Sequence, residues 1–226
     1  MVRLVLFDVD GTLVHTGHAG IQAFAKTFAT EFNAPDGVER VSFAGRTDLN
    51  IVRELFGLHN IPATAENFQR FFERYIFWLD QMVSQSDGGP CHGALEFLNG
   101  LRTLPNPPML GLLTGNIRLG AEIKLRHYKL WEAFEIGAFA DDGEDRNQIA
   151  AVACMRGNRV LGGNLHGEEI IVVGDTPHDI RCGRAIGAKV LAVATGGARL
   201  DELKWHQPDW AVEDLTRINV REVCLR

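Results

Sequence analysis

The chain has 226 residues, 46% of them hydrophobic and 23% charged, and its 23 basic and 29 acidic side chains leave a formal charge of −6. This balance excludes disorder as the main state, and the length suits one domain or one domain carrying a smaller insert. Net acidity and the lack of any basic run exclude nucleic acid and a membrane surface as expected partners, so an anionic substrate has to be attracted locally.

In chain order, Val2 to Phe7 is an apolar, β-leaning run that stops at Asp8, as a fully buried parallel strand does. From about 15 to 87 the pattern is helical. Ile21, Phe24, Ala25, Phe28, Ala29 and Phe32 recur at steps of three and four, and Phe68 to Val83 repeats the pattern over a longer span. Between them Asp48 to Phe56 is a shorter helix with Thr47 or Asp48 as its N-cap, and no strand is expected in this stretch.

Gly88-Gly89-Pro90 ends the last of these helices, and apolar runs then alternate with helical ones. Strands are expected at 109–113, 136–140, 170–173, 190–194 and 210–212, and helices at about 92–103, 117–127, 145–156, 177–186 and from 214. The fold class is therefore α/β: a Rossmann-like parallel sheet core, residues 1–14 and 88–226, with an inserted all-helical cap domain, residues 15–87. Hinges at Val14 to Gly17 and Gly88 to Pro90 set the cap beside the carboxyl ends of the strands, where open α/β sheets bind ligands. Cys91, Cys154, Cys182 and Cys224 fit no metal or redox spacing and are too sparse for a disulfide framework. With no membrane-spanning run and no signal-peptide pattern, the chain is expected to be cytoplasmic and used whole.

Polar clusters fall where the strands end: Asp8-Val9-Asp10-Gly11-Thr12 after the first, Thr114-Gly115-Asn116 after the second, and Gly174-Asp175-Thr176-Pro177-His178-Asp179 after the fourth. Carboxylates brought together this way repel one another unless a cation neutralises them; a hard divalent ion with oxygen ligands is the natural remedy, and Mg2+ is the usual one at phosphates. Asp8 and Asp10 at the end of a buried strand are costly without a functional return. Asp179 reads equally as a helix cap and as a supporting carboxylate. Gly196-Gly197 reads as an ordinary turn, and His15, His18 and His178 as solvated or substrate-edge residues.

Asp-Val-Asp-Gly-Thr-Leu-Val at 8–14, Leu-Leu-Thr-Gly-Asn at 112–116 and Gly-Asp-Thr-Pro-His-Asp at 174–179 resemble, in order and spacing, the haloacid dehalogenase-like superfamily, and the helical insert resembles the cap of its phosphoglycolate phosphatase-like branch. The resemblance implies that Asp8 is the nucleophile, forming an aspartyl-phosphate, and that Asp10 serves as acid and then base. Asp8, Asp175 and the Asp10 carbonyl are implied Mg2+ ligands, with Asp179 in support. Thr114, Gly115 and Asn116 are implied to bind the phosphoryl group. Where the superfamily places a cation, usually Lys, the stretch from Asp142 to Asn147 offers Arg146, with Lys124 as the competing candidate. Arg46 is expected either to reach an anionic part of the substrate or to pair with a neighbouring acid.

The implied activity is a Mg2+-dependent phosphatase that hydrolyses a small phosphorylated metabolite, a phosphate monoester. Asp10 argues against dehalogenation and against phosphonate cleavage. A sugar phosphomutase shares the nucleophile and acid/base pair, and a non-catalytic phosphate-binding regulatory protein is the other alternative, although such a protein usually lacks Asp8 or Asp10. The physiological substrate and the oligomeric state stay open at this point.

Overall fold

The computed structural model describes residues 1–225. Its centre is a six-stranded parallel sheet made of β1 (Leu4–Phe7), β4 (Met109–Leu113), β5 (Ile136–Ala138), β6 (Ile170–Gly174), β7 (Lys189–Val193) and β8 (Trp210–Val212), in the spatial order β5-β4-β1-β6-β7-β8. The apolar runs of β1, β4, β6 and β7 form interior strands because both faces are covered, and β5 and β8 are the partly buried edges. Val5, Phe7, Leu110, Leu112, Ile171 and Val173 pack on one face with α4 (Ala94–Arg102) and α5 (Arg118–His127). Leu4, Leu6, Met109, Leu113, Ile170 and Val172 pack on the other with α6 (Arg146–Val160) and α7 (Pro177–Ala185). This Rossmann-like α/β fold is the one expected from the sequence.

The expected strands all occur, within a few residues of the predicted ends. Helix α6 continues to Val160, beyond the expected end at 156, because its outer face carries Met155 and Val160, both exposed, and these blur the amphipathic period. The short α8 (Leu200–Trp205), which buries only Leu203, has too little length for its period to register, and the chain closes with α9 (Val220–Cys224).

Between β1 and β4 the chain forms three further helices, α1 (Ala19–Phe32), α2 (Asp48–Leu58) and α3 (Ala65–Ser84). Phe24, Phe28, Phe56, Phe71 and Tyr75 are at most 1% exposed and meet mainly edge-on or tilted, as in Phe24–Tyr75 with centroids 4.7 Å apart. Thr47 is the N-cap of α2, its hydroxyl oxygen accepting from the Asn50 N–H at 3.3 Å. The two crossings into and out of these helices, read as hinges from the sequence, pair with each other as the antiparallel strands β2 (Val14–His15) and β3 (Gly89–Pro90). Among the described residues no helix is long and apolar enough to cross a membrane.

Candidate active site

The register of the sheet fixes which side chains share the crevice. Phe7 pairs with Leu112 of β4 on one side and with Val173 of β6 on the other. Asp8 follows Phe7 by one residue, and Thr114 and Asp175 follow Leu112 and Val173 by two, so all three leave the same edge of three adjacent strands about 4.8 Å apart, although up to 167 residues separate them in sequence. The chain order reverses across β1, the switch point at which such sheets open a crevice.

Asp8, Asp175 and Asp179 are buried, and each offers a carboxylate oxygen within 4.8 Å of the others. Burial, and then Asp179 and Asp10, push Asp8 up from 3.8 to about 7, against the lowering effect of Arg146. Asp175 is raised well above its ordinary value, first by burial and then by Asp179 and Asp8. One buried cation, Arg146, answers these charges. Its Nη1 and Nη2 each stand 3.4 Å from Asp8 Oδ1, and Nη2 also donates to Asp179 Oδ1. Burial works against the guanidinium charge, but Asp179 and Asp8 outweigh it and raise the Arg146 pKa. Asp179 also accepts from the Thr176 N–H at 3.0 Å and the Thr176 hydroxyl at 2.6 Å, closing a capping box at the start of α7. Asp179 thus caps α7 and pairs with Arg146 through one side chain.

Asp175 is held by groups that sequence reasoning treated as incidental. The Gly197 N–H donates to its Oδ2 at 3.0 Å, and the Thr12 hydroxyl to its Oδ1 at 3.3 Å. A Cβ on Gly196 would lie 1.7 Å from Asp175 Oδ2, so Gly196-Gly197 serves as the seat of this carboxylate as well as a turn. The donor set of Asp8 and Asp175 is all oxygen and carries more negative charge than Arg146 offsets. It fits a hard divalent cation.

Asp10 is less buried than Asp8 and belongs to a separate network. Lys124 Nζ donates to Asp10 Oδ2 and to Asn116 Oδ1, each at 2.6 Å. Asn116 Nδ2 donates to Asp10 Oδ2 and to Thr114 Oγ1, each at 2.8 Å. Both cations weighed from the sequence are therefore present, Arg146 on Asp8 and Lys124 on Asp10. Lys124 was legible as a polar residue at a core position: in α5 it falls on the face formed by Ile117, Gly120, Ala121 and Leu125, all buried. Among the described residues both the Lys124 and the Asn116 contacts fall on Asp10 Oδ2, and no hydrogen-bond partner is found for its Oδ1.

The first turn of α2 is docked on the loop after β4. The Asp48 N–H donates to the Gly115 carbonyl at 2.7 Å, and Asp48 Oδ2 accepts from the Ile117 N–H at 2.8 Å. Thr47 Oγ1 and Asn50 Nδ2 donate to the Glu144 carbonyl at 3.0 and 2.8 Å. Gly115 allows this approach, because a Cβ there would lie 2.1 Å from the Arg46 carbonyl. Arg46 itself pairs with Glu54 at 2.6 Å. Asp48, unremarked in the sequence except as a cap, is pushed up from 3.8 to about 7 by burial, against Lys124 and the Ile117 N–H. Undocked, this carboxyl meets water and returns towards its ordinary value. The docked state binds more protons between about pH 4 and pH 7, so docking weakens as pH rises through that window and levels off above it. Fluorophores attached in place of exposed Leu58 and Leu95 should therefore move apart between about pH 5 and about pH 8 in the parent and stay put in Asp48→Asn. The same pH response in both would assign the movement to another group.

Between the three helices and the strand ends lies a cavity of about 580 Å³, reached by Asp8, Asp10, Thr114, Gly115, Asn116, Arg146 and Asp175. A model of haloacid dehalogenase-like hydrolases matches residues 5–193, a span that contains every one of these. The chain belongs to the haloacid dehalogenase-like hydrolase family. Among its relatives, the pyrophosphatase PpaX of Halalkalibacterium halodurans is 27% identical over 225 residues, covering 95% of this chain and 94% of the relative. PpaX of Bacillus pumilus is 25% identical over 217 residues, with 95% and 94% covered. Solved structures share the fold: a haloacid dehalogenase-like hydrolase of Entamoeba histolytica (TM-score 0.77, 20% identity, 99% and 98% covered) and a Haemophilus somnus protein described as a predicted phosphoglycolate phosphatase (TM-score 0.72, 18% identity, 95% of each covered).

Proposed function

We propose that this family member is a Mg2+-dependent phosphatase that hydrolyses a small organic phosphate monoester through an aspartyl-phosphate on Asp8. The observation that carries the reading is the Asp8 carboxylate, buried at the end of β1, bordering the cavity under the cap helices with one oxygen against Arg146. Phosphatase chemistry is also what the relatives' names report of those proteins.

Asp8 attacks phosphorus as the bond to the leaving oxygen breaks, and Asp10 gives that oxygen its proton. A water then attacks the aspartyl-phosphate, Asp10 takes the water's proton, and Asp8 is released with inorganic phosphate. Arg146 orients Asp8 and balances its charge. The Thr114 hydroxyl accepts from Asn116, which leaves its own proton to donate to a phosphoryl oxygen, and the Gly115 N–H adds a second donor. Asp8 and Asp175, with the Asp10 carbonyl, would hold Mg2+, which would supply charge neutralisation for the phosphoryl group. Residues 15–87 act as the cap of the core formed by 1–14 and 88–226, closing over the substrate and excluding bulk water.

The purified protein with Mg2+ should release phosphate from an aryl phosphate, and EDTA should reduce the rate to background until Mg2+ is restored. Undiminished release in EDTA would overturn the metal dependence. No release from aryl, alkyl or sugar phosphates would overturn the phosphatase reading in favour of a binding protein. Interconversion of sugar phosphates primed by a trace of bisphosphate would identify a mutase.

A further inference from the structure

On its cap side the active cavity is lined by apolar rings and chains, by two carboxyl side chains, and at its mouth by His15 and His18, both of which are exposed to water. From the cap, Ile21, Phe24, Phe43, Ile51 and Tyr75 supply an apolar and aromatic wall, in which Ile21 is 38% exposed and Phe43 half-buried. Beside this wall stand two carboxylic acids, Asp10 and Asp48.

Each Lys or Arg bordering the cavity is already engaged by a carboxylate of this chain. Arg146 lies on Asp8 and Asp179, Lys124 on Asp10, and Arg46 on Glu54. Arg181 borders a neighbouring cavity of about 480 Å³ that shares only Gly45, Arg46 and Arg146 with the active one. Gly45 packs tightly there, since a Cβ on it would lie 2.6 Å from Thr176 Oγ1 and 2.7 Å from His178 Cδ2. A second anionic group on the substrate, such as the distal phosphate of pyrophosphate or the carboxylate of phosphoglycolate, would have to take Arg146 or Lys124 from a carboxylate, draw Arg46 away from Glu54 and the Ser42 and Asn50 carbonyls, turn out to the solvated His15 and His18, or lie against apolar rings and acids.

We infer that the substrate's leaving group is an uncharged alcohol with an apolar or aromatic body that packs on the Ile21–Phe43–Tyr75 wall. The inference rests on the phosphatase reading above and narrows it. It also sets this chain apart from what the names of the PpaX relatives say those proteins act on. A cavity of about 580 Å³ lies within the roughly 300–1,000 Å³ common for small-molecule sites.

The test compares 2-phenylethyl phosphate, phosphoglycolate and pyrophosphate with Mg2+ at one pH. The first two release unactivated alcohols, so their difference reports recognition more than chemistry. The expected result is a kcat/KM at least tenfold higher for 2-phenylethyl phosphate than for either of the others. Ile21→Lys, which places an unpaired ammonium in the wall, should narrow that gap by raising kcat/KM for phosphoglycolate, and Phe43→Ala should lower kcat/KM for 2-phenylethyl phosphate alone. Turnover in which phosphoglycolate or pyrophosphate leads overturns this inference and leaves the phosphatase reading standing. Turnover of none of the three, with an aryl phosphate also inert, overturns both.

Discussion

Asp8→Asn should reduce phosphate release by at least about 10³-fold, because the amide keeps the shape of the side chain and loses the nucleophile. Stability should move the other way. Asp8 is held up at about 7 by burial and by the neighbouring acids, so in the metal-free protein the charged carboxylate is a strained occupant of its site. A neutral amide removes its repulsion from Asp175 and Asp179, and the metal-free variant should melt above the metal-free parent at about pH 8. Loss of activity with gain of stability is the mark of a group retained for chemistry. An Asp8→Asn protein that keeps turnover would end the covalent mechanism, and one that melts lower would show Asp8 to be structural.

Arg146→Met should produce the opposite pairing, losing both. The guanidinium is 7% exposed and is the only cation in direct contact with Asp8 and Asp179 among the described residues. Removing one partner of a buried ion pair leaves uncompensated charge and costs about 3–5 kcal/mol. Urea unfolding of the metal-free protein measures this directly, and an unchanged midpoint would contradict the role given to Arg146. Arg146→Lys should recover part of the stability and less of the activity. An ammonium supplies the charge as a single point, without the planar fork that here touches Asp8 with two nitrogens and Asp179 with one of the same two.

Much of this site was legible in the sequence because its main residues sit at strand ends. Asp8, Thr114 and Asp175 each close an apolar run, and a parallel sheet brings such positions to one edge whatever lies between them. Arg146 was reachable from its place after the third strand of the core. What escaped depends on proximities that no local pattern encodes. Asp48 reads as an N-terminal helix residue, and its partner Ile117 N–H lies 69 residues on, brought near only by the docking of α2. Gly196-Gly197 resembles any turn until Asp175 is seen against it. Lys124 was visible as a misfit on a buried helical face, but its link to Asp10 rather than Asp8 required the relative placement of α5 and β1. The β2–β3 pairing involves two residues from each strand, too few for alternation to show.

The most direct test of the covalent mechanism is to trap the phosphoryl group on the enzyme. A stoichiometric amount of substrate is mixed with the Mg2+-loaded protein, quenched in acid within milliseconds, digested and analysed by mass spectrometry. The account predicts a phosphoryl group on the peptide containing Asp8, appearing before free phosphate and decaying as phosphate forms, and absent from Asp8→Asn. Free phosphate formed in a full single turnover, with that peptide unmodified at every quench time, would contradict it.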